Sequence, residues 1–247
     1  MQPATGSPAS LMVMHYQWET LTDGVWRCRL PFCDVSVGLV RGSRRILLID
    51  CGTTLLEAAD IVADVRALAG GAVTHAVLTH HHFDHILGSA GFTDAELYAA
   101  PSVAAALTTD IAEVRAHAIS YGADPAELDR TIARVRAPDH RVLSVDLDLG
   151  ARSVHVEHPG RGHTDHDLVV VIGPQAPGAP TVVFCGDLVE ESADPAIDAG
   201  SDLREWPRSL DRVLALGGPD ARYVPGHGAV VDAGFVSRQR DWLTMQG

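Results

Sequence analysis

The stretch THHHFDH, residues 79–85, places four histidines and one aspartate within seven positions. It follows the apolar run VTHAVL, which we predict to be a buried strand. In an extended chain, residues two apart face the same way, so His80 and His82 can present their imidazoles to one metal ion. Asp84 and His85 follow the turn of the loop, point elsewhere and could begin a second site. The stretch therefore indicates part of a metal site rather than a polar loop alone.

Three more clusters share one arrangement, in which an apolar strand or a glycine turn exposes a histidine or an aspartate. They are His163 in HPGRGHTDHDL, Asp187 at the end of FCGD, and His227 in VPGHG. Strand ends line up on one edge of a sheet, which is a common place for a site. Imidazole favours zinc, iron and similar metals, and a carboxylate can bridge two cations. Five histidines and two carboxylates thus become candidate ligands.

Taken in order after LLIDCG at residues 47–52, the motifs HHHFDH, GHTDHD, CGD and PGHG make the chain resemble the metallo-β-lactamase-fold hydrolase superfamily. The similarity spans residues 45–230, approximately. It implies an α/β (α+β) fold, namely a four-layer αββα sandwich with the site at one edge of the sheets. Residues 1–14 are expected to be a disordered tail, and residues 15–247 a single domain of this fold.

The resemblance also implies a ligand set and a cofactor. His80, His82 and His163 would hold the first metal, while Asp84, His85 and His227 would hold the second. Asp187 would bridge both. Two Zn²⁺ ions are expected, with iron or manganese as the alternatives. Asp50, within LLIDCG, matches the early structural aspartate of the superfamily, which orients the motif loop and does not bind metal.

A mechanism follows from this implied ligand set. Two divalent cations lower the pKa of a bridging water, so that hydroxide exists near neutral pH and can attack a carbonyl or phosphoryl group. One metal would polarise the substrate oxygen and stabilise the developing oxyanion. Asp84 is the candidate catalytic residue, because it can hold the hydroxide in line. Whether it also relays a proton to the leaving group is a hypothesis.

Several nearby residues do not fit the ligand pattern. Three histidines are expected to support the ligands or to face solvent: His81, His158 and His166. Cys185 lies two residues before Asp187, so an extended strand predicts that it shares the facing of Asp187. It is a weak ligand candidate, and a buried thiol is the preferred interpretation. Arg161, in the glycine turn before His163, could meet an anionic substrate or be a surface charge.

Composition narrows the classes of partner. The chain has 247 residues and a net charge of −13, with no basic stripe. This argues against nucleic acid or anionic lipid as the main partner, and we expect a small-molecule substrate.

No signal peptide or membrane-spanning run is predicted, so a cytoplasmic location is expected. The four cysteines form no C-x-x-C pair and are expected to be reduced. The absence of lysine and asparagine suggests a GC-rich bacterial genome. The oligomeric state is not predicted.

The sequence differs from several subgroups of the superfamily, which argues against the reactions of those subgroups. Di-zinc β-lactamases usually lack the bridging aspartate and are exported. Glyoxalase II-like thioesterases carry a C-terminal extension, whereas only 20 residues follow His227 here. Quorum lactonases place a tyrosine shortly after the bridging aspartate, where this chain has LVEES. We therefore predict a hydrolase of a small-molecule ester, thioester, lactone or amide. The alternatives are a β-lactamase, a mononuclear iron oxidoreductase of the persulfide dioxygenase type, and a non-enzymatic metal-binding protein.

The remaining pattern predicts strands and helices around these motifs. Strands are expected on both sides of TDG and in DVSVGLV, RRILLID, AELYAA, HRVLSV, RSVHVEH, DLVVVIG, TVVFCGD and ARYVPG. Helices are expected in TLLEAADIVADVRALAGG, LREWPRSLDRVLALG and FVSRQRDWLTMQ, with two more in residues 102–136 broken near GADP. GPQAPGAP, residues 173–180, is predicted to be an exposed hairpin loop.

Overall fold

The computed structural model describes residues 14–247. The predicted tail at residues 1–14 lies outside the described residues, apart from Met14. Among the residues described, no helix has both the length and the apolar character needed to cross a membrane.

The first sheet has seven strands in chain order, from β1 at one edge to β7 at the other. Its strands are β1 (Glu19–Thr22), β2 (Val25–Arg29), β3 (Ser36–Arg41), β4 (Ile46–Ile49), β5 (His75–Leu78), β6 (Glu96–Ala99) and β7 (His140–Arg141). Neighbours from β1 to β4 are antiparallel, and neighbours from β4 to β7 are parallel. Since parallel strands end at the same edge, the segments after β4 and β5 emerge side by side.

The second sheet has five strands in the order β12-β11-β10-β9-β8. Its strands are β8 (Ser144–Asp148), β9 (Ser153–Glu157), β10 (Val169–Ile172), β11 (Val182–Glu190) and β12 (Arg222–His227). The pairs from β8 to β11 are antiparallel, whereas β11 and β12 are parallel. All nine residues of β11 are buried, as expected for a strand covered on both faces. The predicted hairpin loop at residues 173–180 joins β10 to β11 and is largely exposed.

Helices cover the outer face of each sheet. They are α1 (Leu55–Ala69), α2 (Phe83–Ile86), α3 (Pro101–Ala106), α4 (Ile111–Ser120), α5 (Pro125–Ile132), α6 (Trp206–Gly217) and α7 (Ala233–Thr244). Apolar side chains of α1, α3 and α5 join the core that includes both sheets, while α6 and α7 share a second core with the outer face of β10, β11 and β12. The predicted four-layer αββα sandwich is confirmed.

The sheets approach each other closely where Phe184 of β11 meets Gly38 of β3. A Cβ atom at Gly38 would lie 2.4 Å from the Phe184 ring, so only glycine accommodates this contact. The helix α1 starts with a capping box, in which Thr54 and Glu57 satisfy each other's backbone N–H groups. It ends at Gly70 in the left-handed conformation, as the paired glycines of its sequence predicted.

Two predictions of secondary structure were wrong. Residues 102–136 contain three helices and not two, because the chain breaks at residues 107–110, between α3 and α4, as well as near GADP. HRVLSV is not one strand, because residues 140–141 pair with β6 in the first sheet while the segment from Ser144 pairs with β9 in the second. The chain crosses between the sheets at Val142 and Leu143, a change that local sequence does not encode.

Asp64 on α1 anchors the first described segment of the chain. Its carboxylate accepts the backbone N–H groups of His15 and Tyr16 and the indole N–H of Trp18, at 2.8 to 2.9 Å. Burial by itself would raise the pKa of Asp64, but these hydrogen bonds outweigh it and hold the pKa below its ordinary value. The carboxylate therefore stays ionised in the folded protein near neutral pH.

Asp64→Ala is expected to lower the free energy of unfolding by about 2–4 kcal/mol, because it leaves three donors without an acceptor. A carboxyl group with a depressed folded-state pKa stabilises the protein above its unfolded-state pKa, and this contribution is lost as pH falls through the folded-state pKa. Denaturant unfolding should therefore show the difference from wild type narrowing in acid. Asp220→Ala is the control, since Asp220 lies at an exposed turn away from this segment. Equal effects of the two substitutions would contradict the anchoring role.

Candidate metal centre

All seven predicted ligands meet at the edge where β4, β5, β11 and β12 deliver their side chains. His80 and His82 follow β5, and Asp84 and His85 begin α2. His163 comes from the loop between β9 and β10, Asp187 lies within β11, and His227 ends β12. The geometry thus brings together residues that are as many as 147 positions apart in the sequence. Each residue except His82 and His227 is buried.

The first group contains His80, His82, His163 and Asp187, with one candidate ligand atom from each lying within 4.8 Å of the others. His163 Nε2 is 3.0 Å from His82 Nδ1. Oδ2 of Asp187 lies 3.4 Å from His80 Nε2 and 3.5 Å from His163 Nε2. Three imidazoles and a carboxylate oxygen therefore surround a space of the size that a single cation occupies.

The second group contains Asp84, His85 and His227, again within 4.8 Å of one another. His227 Nε2 is 3.5 Å from Asp84 Oδ2 and 3.4 Å from His85 Nε2. The carboxylate of Asp187 reaches this group as well, with Oδ1 lying 3.1 Å from His85 Nε2 and Oδ2 lying 3.3 Å from His227 Nε2. Asp187 therefore stands between the two groups.

Hydrogen bonds to backbone carbonyls outside the cluster set the tautomer of two of the candidate ligands, His163 and His227. His163 Nδ1 donates to the carbonyl of Ala196 at 3.2 Å, and His227 Nδ1 donates to the carbonyl of Cys33 at 2.8 Å. A carbonyl can only accept, so in each of these rings the proton sits on Nδ1 when the ring is neutral. The lone pair is then on Nε2, which faces the cluster and is ready to bind a cation.

Asp50 holds the motif loop, residues 79–85, in place through hydrogen bonds. It accepts the backbone N–H of Thr79 at 2.8 Å and the Thr79 hydroxyl at 2.9 Å, and its Oδ2 lies 2.8 Å from His85 Nδ1. The Thr79 oxygen can in turn accept from His80 Nδ1, which is 3.0 Å away. The predicted support of residues 79–85 by Asp50 is confirmed. Its backbone adopts a positive φ of 57°, an uncommon conformation for a residue other than glycine.

The unpaired atoms and the charge states of the cluster suit bound cations. His80 Nε2 and Asp187 Oδ1 are buried and make no hydrogen bond within residues 14–247. Burial, with nearby imidazoles, lowers the pKa of His80 and of His82, so both rings are neutral. Although burial alone would raise the pKa of Asp187, the surrounding histidines hold it well below its ordinary value. Neutral imidazoles and an ionised carboxylate are the forms that bind metal.

The field at the second group attracts positive charge. Burial would lower the pKa of His85, but Asp187 and Asp84 raise it well above its ordinary value. For His227, burial also opposes protonation, yet Asp187 raises the pKa to about 9. A proton or a metal ion can satisfy this field, and a metal ion would displace the proton.

The histidines that did not fit the ligand pattern contact other partners. His81 Nδ1 lies 3.0 Å from His166 Nε2, and His158 Nδ1 donates to the carbonyl of Asp167 at 2.8 Å. None of the three belongs to a candidate metal group among the described residues. Arg161 pairs with Asp202 at 3.2 Å with its side chain 57% exposed, which agrees with the surface-charge interpretation.

Cys185 is a buried thiol, as predicted, but the expectation that it shares the facing of Asp187 was wrong. Gly186 adopts a positive φ of 52°, and the pairing of β11 with β12 shifts register there. This bulge interrupts the alternation of side chains. Cys185 consequently packs in the outer core with Trp206 and Tyr223, while Asp187 faces the metal groups.

Two residues that line the cavity above the cluster, Glu190 and Asp198, were not among the predicted site residues. Glu190 forms a third candidate metal group with Asp187 and His227. Its Oε1 accepts the backbone N–H and the hydroxyl of Ser192. Asp198 approaches from the loop after β11, with Oδ2 3.9 Å from His82 Nε2. Glu190 could have been found from its spacing of three residues after Asp187, whereas the loop position of Asp198 had no signal in the sequence.

Gly226→Ala is expected to lower metal affinity at least about tenfold, because a Cβ atom there would lie 1.8 Å from Asp187 Oδ1 and 2.9 Å from the Gly186 carbonyl carbon. The methyl group would push the Asp187 carboxylate out of place. Chelator competition measures the effect, with Gly173→Ala as the control, since a Cβ atom at Gly173 has nothing within 4 Å. Equal affinity of the two variants would contradict this account.

The sequence model of the metallo-beta-lactamase superfamily matches residues 30–227, which contain every candidate ligand. A relative named metallo-beta-lactamase type 2, from Bacillus cereus, is 26% identical over 211 residues, covering 84% of this chain and 73% of that protein.

Solved structures share the fold at lower identity. The metallo-beta-lactamase from Pontibacter korlensis superposes with a TM-score of 0.68 at 20% identity, covering 93% of this chain and 99% of that chain. The metallo-beta-lactamase FIM-1 from Pseudomonas aeruginosa, in its mono-zinc form, gives a TM-score of 0.67 at 18% identity, covering 94% and 96%. These similarities confirm the predicted fold.

Proposed function

We propose that this chain, which belongs to the metallo-β-lactamase superfamily, is a dinuclear zinc hydrolase that cleaves a small-molecule ester, thioester, lactone or amide. One observation carries the proposal. The Asp187 carboxylate lies 3.1 to 3.5 Å from imidazole nitrogens of both candidate metal groups. A single carboxylate in this position can neutralise two cations at once.

The proposed ligand assignment follows the two groups. His80, His82 and His163 would hold one ion, Asp84, His85 and His227 the other, and Asp187 both. Imidazole nitrogens with few carboxylate oxygens suit zinc, while iron and manganese accept the same donors. When bound, two such cations supply Lewis acidity and lower the pKa of water at the site.

Asp84 is proposed as the catalytic residue among the chain's own groups. Its side chain is nearly buried, yet it lines the cavity above the cluster. Its Oδ2 lies 3.6 Å from His85 Nε2 and 3.5 Å from His227 Nε2. From this position the carboxylate can orient the attacking water and accept its proton, then return a proton to the leaving group.

The cavity supports a substrate of small-molecule size. It measures about 390 Å³ and is lined in part by Asp84, Asp187 and His227. This volume falls in the range of small-molecule sites.

We also propose that residues 15–247 act as one domain in the cytoplasm, in line with four cysteines that are all free thiols.

β-Lactam cleavage is the second candidate, favoured by the name of the Bacillus cereus relative. A β-lactam is a strained cyclic amide, so the same attack on a carbonyl carbon would open it.

The test is a hydrolysis panel with zinc-loaded protein and matched esters, thioesters, lactones, β-lactams and phosphodiesters. We expect turnover of at least one acyl substrate, and loss of that turnover in Asp84→Asn, which keeps the shape of the side chain but removes the carboxylate proposed both to bind metal and to act as the base. Fully loaded protein without acyl hydrolysis would contradict the proposal. Turnover confined to β-lactams would establish the second candidate.

A further inference from the structure

Glu190 is a buried carboxylate to which the seven-ligand assignment gives no role. It is the last residue of β11, and its Cα pairs in the sheet with that of His227, the last residue of β12. The residue is only 7% exposed, and it lines the cavity above the cluster. Burying a carboxylate costs free energy unless a cation or hydrogen-bond donors replace the lost water, so the contacts of Glu190 indicate its role.

Hydrogen bonds fix one oxygen of Glu190 and leave the other open. Oε1 accepts the Ser192 hydroxyl at 2.7 Å and the Ser192 backbone N–H at 3.0 Å. Oε2 makes no hydrogen bond within the described part of the chain, and the ion pairs of His227 there do not include Glu190. The carboxylate is therefore held in one orientation, with one oxygen available to a partner from outside the chain.

Glu190 lies close enough to two ligands of the metal centre to share a cation with them. One candidate ligand atom from each of Asp187, Glu190 and His227 lies within 4.8 Å of the others. Within this group, Asp187 Oδ2 is 3.3 Å from His227 Nε2. Atoms that bind one cation at about 2.0–2.6 Å lie at most about 5 Å apart. The three side chains can thus meet at a single ion.

The charge of the centre also favours one more carboxylate. Two divalent cations carry four positive charges, whereas the ligands of the two main groups supply only the negative charges of Asp84 and Asp187. Glu190 would lower the remaining positive charge from two to one. In a buried site of low dielectric, charges that are compensated nearby are much less costly than charges that are not.

We propose that Glu190 is an eighth ligand, which binds the second metal ion through the oxygen that Ser192 leaves free. This inference rests on the proposed dinuclear centre, because it adds one donor to the same site. The second ion would have two imidazoles and three carboxylates, those of Asp84, Asp187 and Glu190, whereas the first would have three imidazoles and one carboxylate. Carboxylates suit manganese and imidazoles suit zinc, so the second site accepts manganese more readily than the first.

Manganese binding tests this assignment without turnover. Metal-free protein receives one equivalent of zinc, which the three imidazoles of the first group should take. It is then titrated with Mn²⁺, and the electron paramagnetic resonance signal of free Mn²⁺ gives the dissociation constant. Glu190→Gln keeps the size of the side chain but loses the carboxylate. We expect it to bind Mn²⁺ about tenfold more weakly, while the affinity for the first equivalent of zinc stays close to the wild-type value.

Two further variants separate ligation from charge and from folding. Glu113→Gln makes the same charge change at an exposed position that lines the adjoining cavity, and it should leave Mn²⁺ binding unchanged. Ser192→Ala removes the hydroxyl that orients the Glu190 carboxylate but removes no charge. It should weaken Mn²⁺ binding about two- to tenfold, which corresponds to the loss of one hydrogen bond.

The outcomes distinguish this inference from the proposed function. Wild-type Mn²⁺ affinity in Glu190→Gln, or an equal loss in Glu113→Gln, would overturn the assignment of Glu190 and leave the dinuclear centre intact. An equal loss of zinc affinity in Glu190→Gln would also overturn it, because Glu190 would then support the whole site. Wild-type protein that takes up one metal ion and no second would overturn the dinuclear centre and the inference together.

Discussion

Asp187→Ala is expected to lose one of two bound metal ions and at least about 100-fold of hydrolytic turnover, which is the loss typical when a key electrostatic group leaves an active site. The wild-type carboxylate lies within 3.5 Å of four imidazole nitrogens from both metal groups. Without it, two cations at short separation would repel each other with no anion between them. The measurements are metal content and turnover on the best substrate of the panel.

The same variant should keep the fold, with only a modest shift in thermal unfolding. Asp187 faces the metal groups and the cavity, and it belongs to neither apolar core. Asp220→Ala controls for the loss of one negative charge, since Asp220 is exposed. Wild-type turnover with two bound metals in Asp187→Ala would show that Asp187 is not the bridge.

Asp50→Asn is expected to weaken metal binding about 10- to 100-fold while the protein still holds two metals at saturation. The carboxylate serves three donors, from the Thr79 backbone, the Thr79 hydroxyl and His85 Nδ1. An asparagine amide has one oxygen, so its NH₂ group must face one of those donors. The motif loop and the His85 ring would shift, but no ligand would be removed.

Chelator competition measures the affinity of Asp50→Asn, and elemental analysis gives its stoichiometry. Asp139→Asn is the matched control, because Asp139 also accepts a strand N–H, that of Leu97. Leu97 lies near the start of β6, at the sheet edge opposite the metal groups. Unchanged affinity in Asp50→Asn would contradict the supporting role. Loss of one whole equivalent would instead make Asp50 a ligand.

The sequence predicted the metal centre better than the cavity above it. His80, His163, Asp187 and His227 each lie in or next to an apolar strand or a glycine turn that is visible in the local sequence, and their residue types already indicate metal chemistry. Because strand ends line up at one edge of a sheet, the predicted strands also predicted that these side chains would meet there. Four ordered motifs were therefore enough to place seven side chains that lie far apart in the chain.

The cavity could not be predicted because its residues come from segments without a repeating pattern. Asp194 and Asp198 lie in the loop after β11, and His117 lies on α4, which the sequence did not separate from α3. Their proximity depends on how that loop and that helix pack, and packing is a tertiary effect. The facing of Cys185 was missed for a similar reason, because one glycine bulge reverses the expected alternation.

Metal stoichiometry tests the central claim most directly. Protein purified without chelator and saturated with zinc should contain close to two equivalents per chain by elemental analysis, since seven ligands form two groups joined by Asp187. Iron or manganese at two equivalents would change only the identity of the cofactor. A stable value of one equivalent, unchanged by added zinc, manganese or iron, would contradict the dinuclear centre.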